Sequence, residues 1–334
     1  MVASRNEAKI QLVVDDNFMD FLLPLLESAK KSIDILQYSF AIGSAAGKLN
    51  TNTTPFAIAE KLVALKEQKP RLRIRLYLEG LRETYDRNVI TGRYLEDAGI
   101  EIVYGATHAK GFCVDQSTVL FGSTNLTHQS LVKNAETNLL IKDKSVAKEF
   151  MRYFEHLWEG GGHGGIDLKE PMHADGAFKD VLLEMIGSAK RTLEFSIYFF
   201  DQKDIRDAFI KAHERGVKIK GFVHHHSAFA MSYVRRTQKT IYKMKSEGMQ
   251  DLHFAPGTHF THSKYLIKDK AEIALGTGNW LNEDVNIHPQ LYIHLKNAEL
   301  AKQLSRHLSR QIEESHVEPI RTSKTKMPSH RSWA

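Results

Sequence analysis

Cysteine is almost absent. Cys113 stands alone among 334 residues, so the chain cannot form an intramolecular disulfide and makes no demand for an oxidising compartment. Long apolar runs are missing as well: nowhere do 18 apolar residues follow one another, and no membrane-spanning helix is expected. The first twenty residues carry Arg5, Glu7, Lys9, Asp15, Asp16 and Asp20, which leaves no apolar core for a secretory signal. A cytoplasmic protein is the expectation, with secretion left open if a signal has been removed. Net charge is scarce too. Of the formal +6, four charges (Arg321, Lys324, Lys326 and Arg331) lie beyond the last acidic residue, Glu318, leaving +2 for the body. Overall basicity therefore says little about nucleic acid, although one local cleft can still be strongly positive.

What is present is a globular composition, 42% hydrophobic and 26% charged, over a length that suits two compact units. An internal repeat organises them. Ser28-Ala29-Lys30-Lys31 followed by a strand pattern at 33–40 recurs as Ser188-Ala189-Lys190-Arg191 followed by 193–200, and Tyr38 and Phe40 are matched by Tyr198 and Phe200. Before each strand, 18–31 and 178–190 show apolar residues returning at three and four, a helical period. Helix 56–67 and strand 72–78 are answered by 205–215 and 217–223. Strands at 101–104, 111–114, 118–121 and 137–141 are answered by 251–254, 265–267, 272–275 and 291–295. The expected division is a first lobe 1–158, a glycine-rich linker 159–175, a second lobe 176–316 and a basic, disordered tail 317–334. A phosphate-cradling loop is the alternative for 160–165, but no strand-to-helix context surrounds it.

Chemistry-bearing residues repeat with the lobes. His108-Ala109-Lys110 is followed by Asp115 and Gly122-Ser123-Thr124-Asn125, and His262-Ser263-Lys264 by Asp269 and Gly276-Thr277-Gly278-Asn279, with every interval identical. Residues two apart in an extended segment project from one face, so each His and Lys meet a ligand together. A lone His-x-Lys is more often a surface accident. Duplication alone, however, has no packing reason to keep His, Lys and Asn at the same offsets twice.

This pattern, His-x-Lys, four residues, Asp, six residues, Gly-[Ser/Thr]-x-Asn, resembles the signature of the phospholipase D superfamily. The resemblance implies an α/β fold of two tandem phospholipase D-like lobes, each a mixed β-sheet flanked by helices, related by a pseudo-two-fold with the active site at their interface. It also implies a histidine nucleophile, His108 by family precedent, with His262 as acid, no metal and no cofactor. Two motifs in one chain remove any need for a dimer. The residue types suit a phosphodiesterase on their own terms: two His provide nucleophile and proton donor, while Lys110, Lys264, Asn125 and Asn279 neutralise phosphoryl oxygens, with Ser123 and Thr277 as supporting donors. Asp115 and Asp269 read as orienting or structural carboxylates, because an anion would repel the substrate.

After the motifs the halves diverge. Asn134-Ala135-Glu136 fits the family's downstream NxE element, whose carboxylate orients a catalytic histidine, whereas Asn286-Ile287-His288 is the expected second-half equivalent, with His288 where Glu would stand. His224-His225-His226 invites a metal reading, but adjacent strand residues face opposite ways and no spaced Cys or carboxylate completes a set. His224 and His226 are expected instead to contact substrate. Trp280 is open to two roles, stacking in the cleft or packing in the core. A nuclease cleaving DNA or RNA is the first expectation for substrate, and phospholipid headgroup chemistry is the alternative. The alternative requires an apolar rim, for which Ala228-Phe229-Ala230-Met231 is a candidate.

Overall fold

The computed structural model describes residues 9–44, 46–226, 230–256 and 260–315. The tail 317–334, and Ala228 and Phe229 of the candidate rim, lie outside the described residues. The first lobe runs β1 (Ile10–Val14), α1 (Phe18–Glu27), β2 (Ser32–Gln37), α2 (Thr54–Gln68), β3 (Arg73–Glu79), α3 (Tyr85–Glu96), β4 (Glu101–Gly105), β5 (Gly111–Val114), β6 (Thr118–Gly122), α4 (His128–Val132), β7 (Thr137–Ile141) and α5 (Lys144–Trp158). The second repeats the order as β8 (Met172–Ala174), α6 (Ala177–Ser188), β9 (Thr192–Ile197), α7 (Lys203–Glu214), β10 (Lys218–His224), α8 (Met231–Ser246), β11 (Leu252–Ala255), β12 (Lys264–Lys268), β13 (Glu272–Gly276), α9 (Asn282–Asn286), β14 (Leu291–Lys296) and α10 (Ala298–Glu314). Each lobe holds a seven-stranded mixed sheet, ordered β1-β7-β6-β5-β2-β3-β4 and β8-β14-β13-β12-β9-β10-β11. The two orders are the same.

In both sheets the helical crossovers make three neighbouring strands parallel, β2-β3-β4 and β9-β10-β11, and the remaining neighbours pair antiparallel, β5-β6 and β12-β13 as hairpins. Strand β8 lies within the span expected to be linker. Its three residues are too few to show a period, yet it pairs with β14 at the sheet edge as β1 pairs with β7.

Three cores follow from the layering. Phe18, Leu22 and Leu26 of α1 and Ile58, Ala59 and Leu62 of α2 cover one face of the first sheet, and Phe178, Leu182, Ile186, Ile205 and Phe209 do the same for the second. The inner faces share a third core, into which α5 sends Phe150, Phe154 and Leu157 and α10 sends Leu300, Leu304 and Leu308. Both helices are amphipathic, and each is capped: Asp143 accepts from Ser145 N–H and Asn297 from Leu300 N–H, contacts worth about 1 kcal/mol each. At about 1.5–3 kcal/mol per buried Leu or Phe, this shared core fixes the lobes against each other. It sets the interface where both motifs end.

Candidate active site

Both His-x-Lys motifs enter the first strand after the parallel unit, β5 and β12, so they lie at equivalent ends of the central strands of the two sheets. Each histidine is then tied to the opposite lobe. His108 N–H donates to Pro289 O at 2.6 Å, and His262 N–H donates to Ala135 O at 2.8 Å. Hydroxyls of Thr137 and Ser263 meet across the same seam at 2.7 Å. The active-site backbone is therefore built only when the lobes dock.

Around this seam the side chains keep the pseudo-symmetry. Lys110 Nζ donates to His108 O and Lys264 Nζ to His262 O. The Tyr38 ring lies 4.8 Å from His108 and 4.9 Å from Lys110 Nζ; the Tyr198 ring lies 4.8 Å from His262 and 5.2 Å from Lys264 Nζ. Oδ1 of Asn125 and of Asn279 is buried with no protein partner at the same place in each half. The structure thus brings together His108, Lys110, His262 and Lys264, with Asn279 in the same cleft and Asn125 at the equivalent place of the first lobe, its N–H donating to Ser130 Oγ.

Burial of so many like charges shifts them. Desolvation, together with Lys110, Arg82 and Lys264, holds His108 well below the usual histidine range. Burial drives His262 down to about 4 against the opposing pull of Glu136, and Lys264 down to about 7. Lys110 is lowered well below the usual lysine range by burial and by Lys264. A group of cations that repel one another in a dry pocket favours an anion among them, and an entering phosphodiester would raise all four.

Two carboxylates temper the charge, each reaching across the seam. Glu136 lies 3.0 Å from His262 Nδ1, although Glu136 belongs to the first lobe. Burial would push its pKa up, but His262, Lys264 and Ser123 outweigh burial and hold it below the usual range. Asp284, from α9 in the second lobe, lies 3.6 Å from His108 Nδ1 and 2.8 Å from His288 Nδ1. The expectation for Asn286-Ile287-His288 is corrected here. Asp15 N–H donates to Glu136 O and its repeat counterpart Asp175 N–H donates to Gln290 O, so Gln290, not His288, stands where Glu136 stands. The residue matching Asp284 in the first lobe is Ser130, whose hydroxyl donates to Glu136. Acid and neutral partner have exchanged places. Gln290 Nε2 donates to Asp284 O, which keeps the pair linked in the second lobe.

Other expectations move outward. Asp115 accepts N–H groups of Lys30, Lys31 and Ser32 at 2.7–3.1 Å, and Asp269 those of Lys190, Arg191 and Thr192 at 2.7–3.0 Å, so both staple the start of a central strand and touch neither histidine. Ser123 Oγ donates to Glu136 and accepts from Thr137 N–H, and Thr277 Oγ1 accepts from Leu291 N–H. These hydroxyls hold the framework rather than face a substrate, because the strand start beside them has an N–H to satisfy. Trp280 is fully buried among Phe195, Phe200 and Phe209, so it is a core residue. His224 is buried under Tyr198 and Phe260, at 4.5 and 4.3 Å between ring centroids, and burial lowers its pKa to about 3. His226 lines the cleft.

That cleft is a cavity of about 790 Å³ opening over His108, with Asn279, Asp284 and His288 in its wall. Aromatic rings dominate the remainder: Tyr38, Tyr198, Phe199, Tyr233 and Phe260, joined by Leu281 and Ala230. Arg82, held by the buried Glu79, is the one arginine or lysine among the described lining residues.

Comparison with known proteins agrees with this geometry. A family model described as the PLD-like domain of cardiolipin synthase matches residues 22–158 and again 182–312. The chain belongs to the phospholipase D superfamily. Among curated proteins of this superfamily, a phospholipase D of Rickettsia prowazekii is 26% identical over 132 residues, covering 40% of this chain and 58% of that protein. A mitochondrial cardiolipin hydrolase of Canis lupus familiaris is 33% identical over 69 residues, 20% of this chain and 27% of that protein. The alignments thus reach under two thirds of the length of either relative. In fold, the phosphatidylserine synthase of Haemophilus influenzae Rd KW20 superposes with a TM-score of 0.70 at 14% identity, over 93% of this chain and 87% of that one.

Proposed function

We propose that this phosphodiester-active enzyme of the phospholipase D superfamily acts on phospholipid headgroups, as a phosphatidyl hydrolase or transferase. One observation carries the reading: beside its polar catalytic residues the cleft above His108 is lined by Tyr38, Tyr198, Phe199, Tyr233, Phe260 and Leu281, and Arg82 is its one arginine or lysine among the described residues, where a polynucleotide would call for several. Leu81, Met231 and Ile287, at 74%, 50% and 61% exposure, each adjoin in sequence a lining residue (Arg82, Ala230 and His288), supplying the apolar rim that an interfacial substrate needs. The similarity to a phospholipase D and a cardiolipin hydrolase favours lipid over nucleic acid, and the nuclease expectation gives way to it.

The reaction assigned to the site has two steps. His108 Nε2 attacks phosphorus and forms a P–N bond while the P–O bond to the leaving alcohol breaks, and that alkoxide takes a proton from His262. Water or a second alcohol then gives its proton to His262, attacks phosphorus and breaks the P–N bond. Glu136, hydrogen-bonded to His262 Nδ1, stabilises the imidazolium that donates, while His108, with its carboxylate at the longer 3.6 Å, stays neutral and nucleophilic. Lys110, Lys264, Asn125 and Asn279 hold the phosphoryl oxygens.

The test is incubation of EDTA-treated protein with anionic phospholipid vesicles and, separately, with labelled DNA and RNA strands. Headgroup release or exchange that disappears in His108→Ala and in His262→Ala is expected. Strand cleavage without any action on vesicles would overturn the lipid assignment.

A further inference from the structure

We propose that the outer edge of the second sheet carries a zinc-type divalent cation site formed by Glu170, His173 and His294, separate from the catalytic group. One donor atom from each of the three lies within 4.8 Å of the others. His173 Nε2 and Glu170 Oε2 are 3.4 Å apart, close to the ~3.3 Å edge of a tetrahedron with ~2.0 Å metal–ligand bonds. Behind them, Glu272 Oε2 lies 3.2 Å from His294 Nε2, a carboxylate in place to orient the imidazole. His173 Nε2 is buried and makes no hydrogen bond within the protein. A buried ring nitrogen with no hydrogen bond, beside a second imidazole and a carboxylate, is the donor set that borderline cations select.

The first lobe supplies the control. Strand β1 pairs with β7 as β8 pairs with β14, and in that register the residues matching Glu170, His173, His294 and Glu272 are Ile10, Val13, Leu140 and Thr118. The same edge therefore folds without any of these four side chains, and packing does not explain them. The edges differ in length as well: β1 has five residues in its ladder and β8 only three. A cation bridging Glu170 and His173 to His294 of β14 would pin the short strand through which the chain enters the second lobe, a structural role that the five-residue ladder makes unnecessary in the first.

The test uses tag-free, full-length protein stripped with chelator and titrated with Zn²⁺, and with Co²⁺ read by its visible absorption. One ion per chain is expected, with a rise in Tm on Zn²⁺ addition. The double variant His173→Val with His294→Leu borrows the first lobe's own residues, and its circular dichroism checks that it folds. It is expected to bind no stoichiometric ion and to show no Tm response, while its phosphodiesterase activity in chelator matches that of the unaltered chain. Absence of stoichiometric binding to the unaltered chain would overturn the proposal. Equal binding by the double variant would overturn it too, because the ion would then sit elsewhere in the chain. Loss of vesicle activity in both proteins alike would count against the lipid assignment and leave the cation site standing on its own result.

Discussion

The two lobes carry the same motif and brace it differently. In the first, Ser130 on α4 precedes and Glu136 follows just before β7, and Glu136 hydrogen-bonds His262 at 3.0 Å. In the second, Asp284 precedes and Gln290 follows, and Asp284 stands 3.6 Å from His108 while serving His288 at 2.8 Å. One acid per lobe is kept, but it has moved along the chain, and each acid serves the other lobe's histidine. What the repeat preserves is therefore charge at a place in space, whereas residue identity at a place in sequence has drifted. The drift leaves the two histidines inequivalent, which suits a nucleophile and an acid with separate duties.

Removing the tighter brace should have the larger effect. Glu136→Gln is expected to lower kcat by roughly a hundredfold, and Asp284→Asn by about tenfold, since supporting carboxylates of this kind are typically worth ten- to a hundredfold. Steady-state kinetics on vesicles checks the order, and equal losses would erase the distinction between the lobes. Asp284→Ser alone should behave like Asp284→Asn. Adding Gln290→Glu to it rebuilds the first-lobe arrangement in the second, and is expected to recover activity to within about threefold of the unaltered enzyme, a small residue set against the tenfold support it replaces.

The pH profile sharpens the comparison between the lysines. Lys264 is held down to about 7 by burial, so as pH rises through 7 the empty enzyme loses that charge and kcat/KM should fall. Lys264→Arg, which keeps its charge, is expected to move the alkaline limb upward even where the maximum rate drops. A limb unmoved by the substitution would assign it to another group. Smaller and purely structural is the contrast at the third motif position. A Cβ at Gly278 would lie 1.0 Å from Gln290 Oε1, whereas the equivalent Thr124 already accommodates its side chain and accepts from Asn138 Nδ2. Gly278→Ala should cost about 1–3 kcal/mol by overpacking, and Thr124→Ala about 1 kcal/mol for its hydrogen bond, both read by denaturant titration.

Much of this was legible in the sequence. Strands 111–114 and 137–141 fall where the repeated apolar runs put them, and the paired His-x-Lys elements meet at the seam because β5 and β12 are equivalent strands. Edges were harder: β8 is too short for a period, and β1 lies ahead of the first repeated segment. Asp284 was missed because the NxE element puts its acid where Glu136 stands, a place that Gln290 fills in the second lobe, and the acid sits six residues before Gln290, on α9. Counting the motif's own displacement from Glu136 would have landed on Gln290 and exposed the exchange. Trp280 was undecidable from its neighbours, since a residue next to Asn279 can face either side of the turn, and the aromatic cluster that claims it comes from β9, α7 and the segment after β9. Ser123 and Thr277 have hydroxyls of the right type, but which N–H they satisfy depends on how the next strand docks beside them.

The central claim is that two braced histidines form one site with divided duties. The most direct measurement is alkaline-denaturant quench trapping of the enzyme with a phospholipid labelled in its phosphate, followed by peptide mapping of the base-stable, acid-labile label. Label on His108 in the unaltered enzyme, absent in His108→Ala and retained in His262→Ala with a leaving group that needs no proton, is the predicted result. Label on His262, or turnover with no labelled histidine at all, would contradict it.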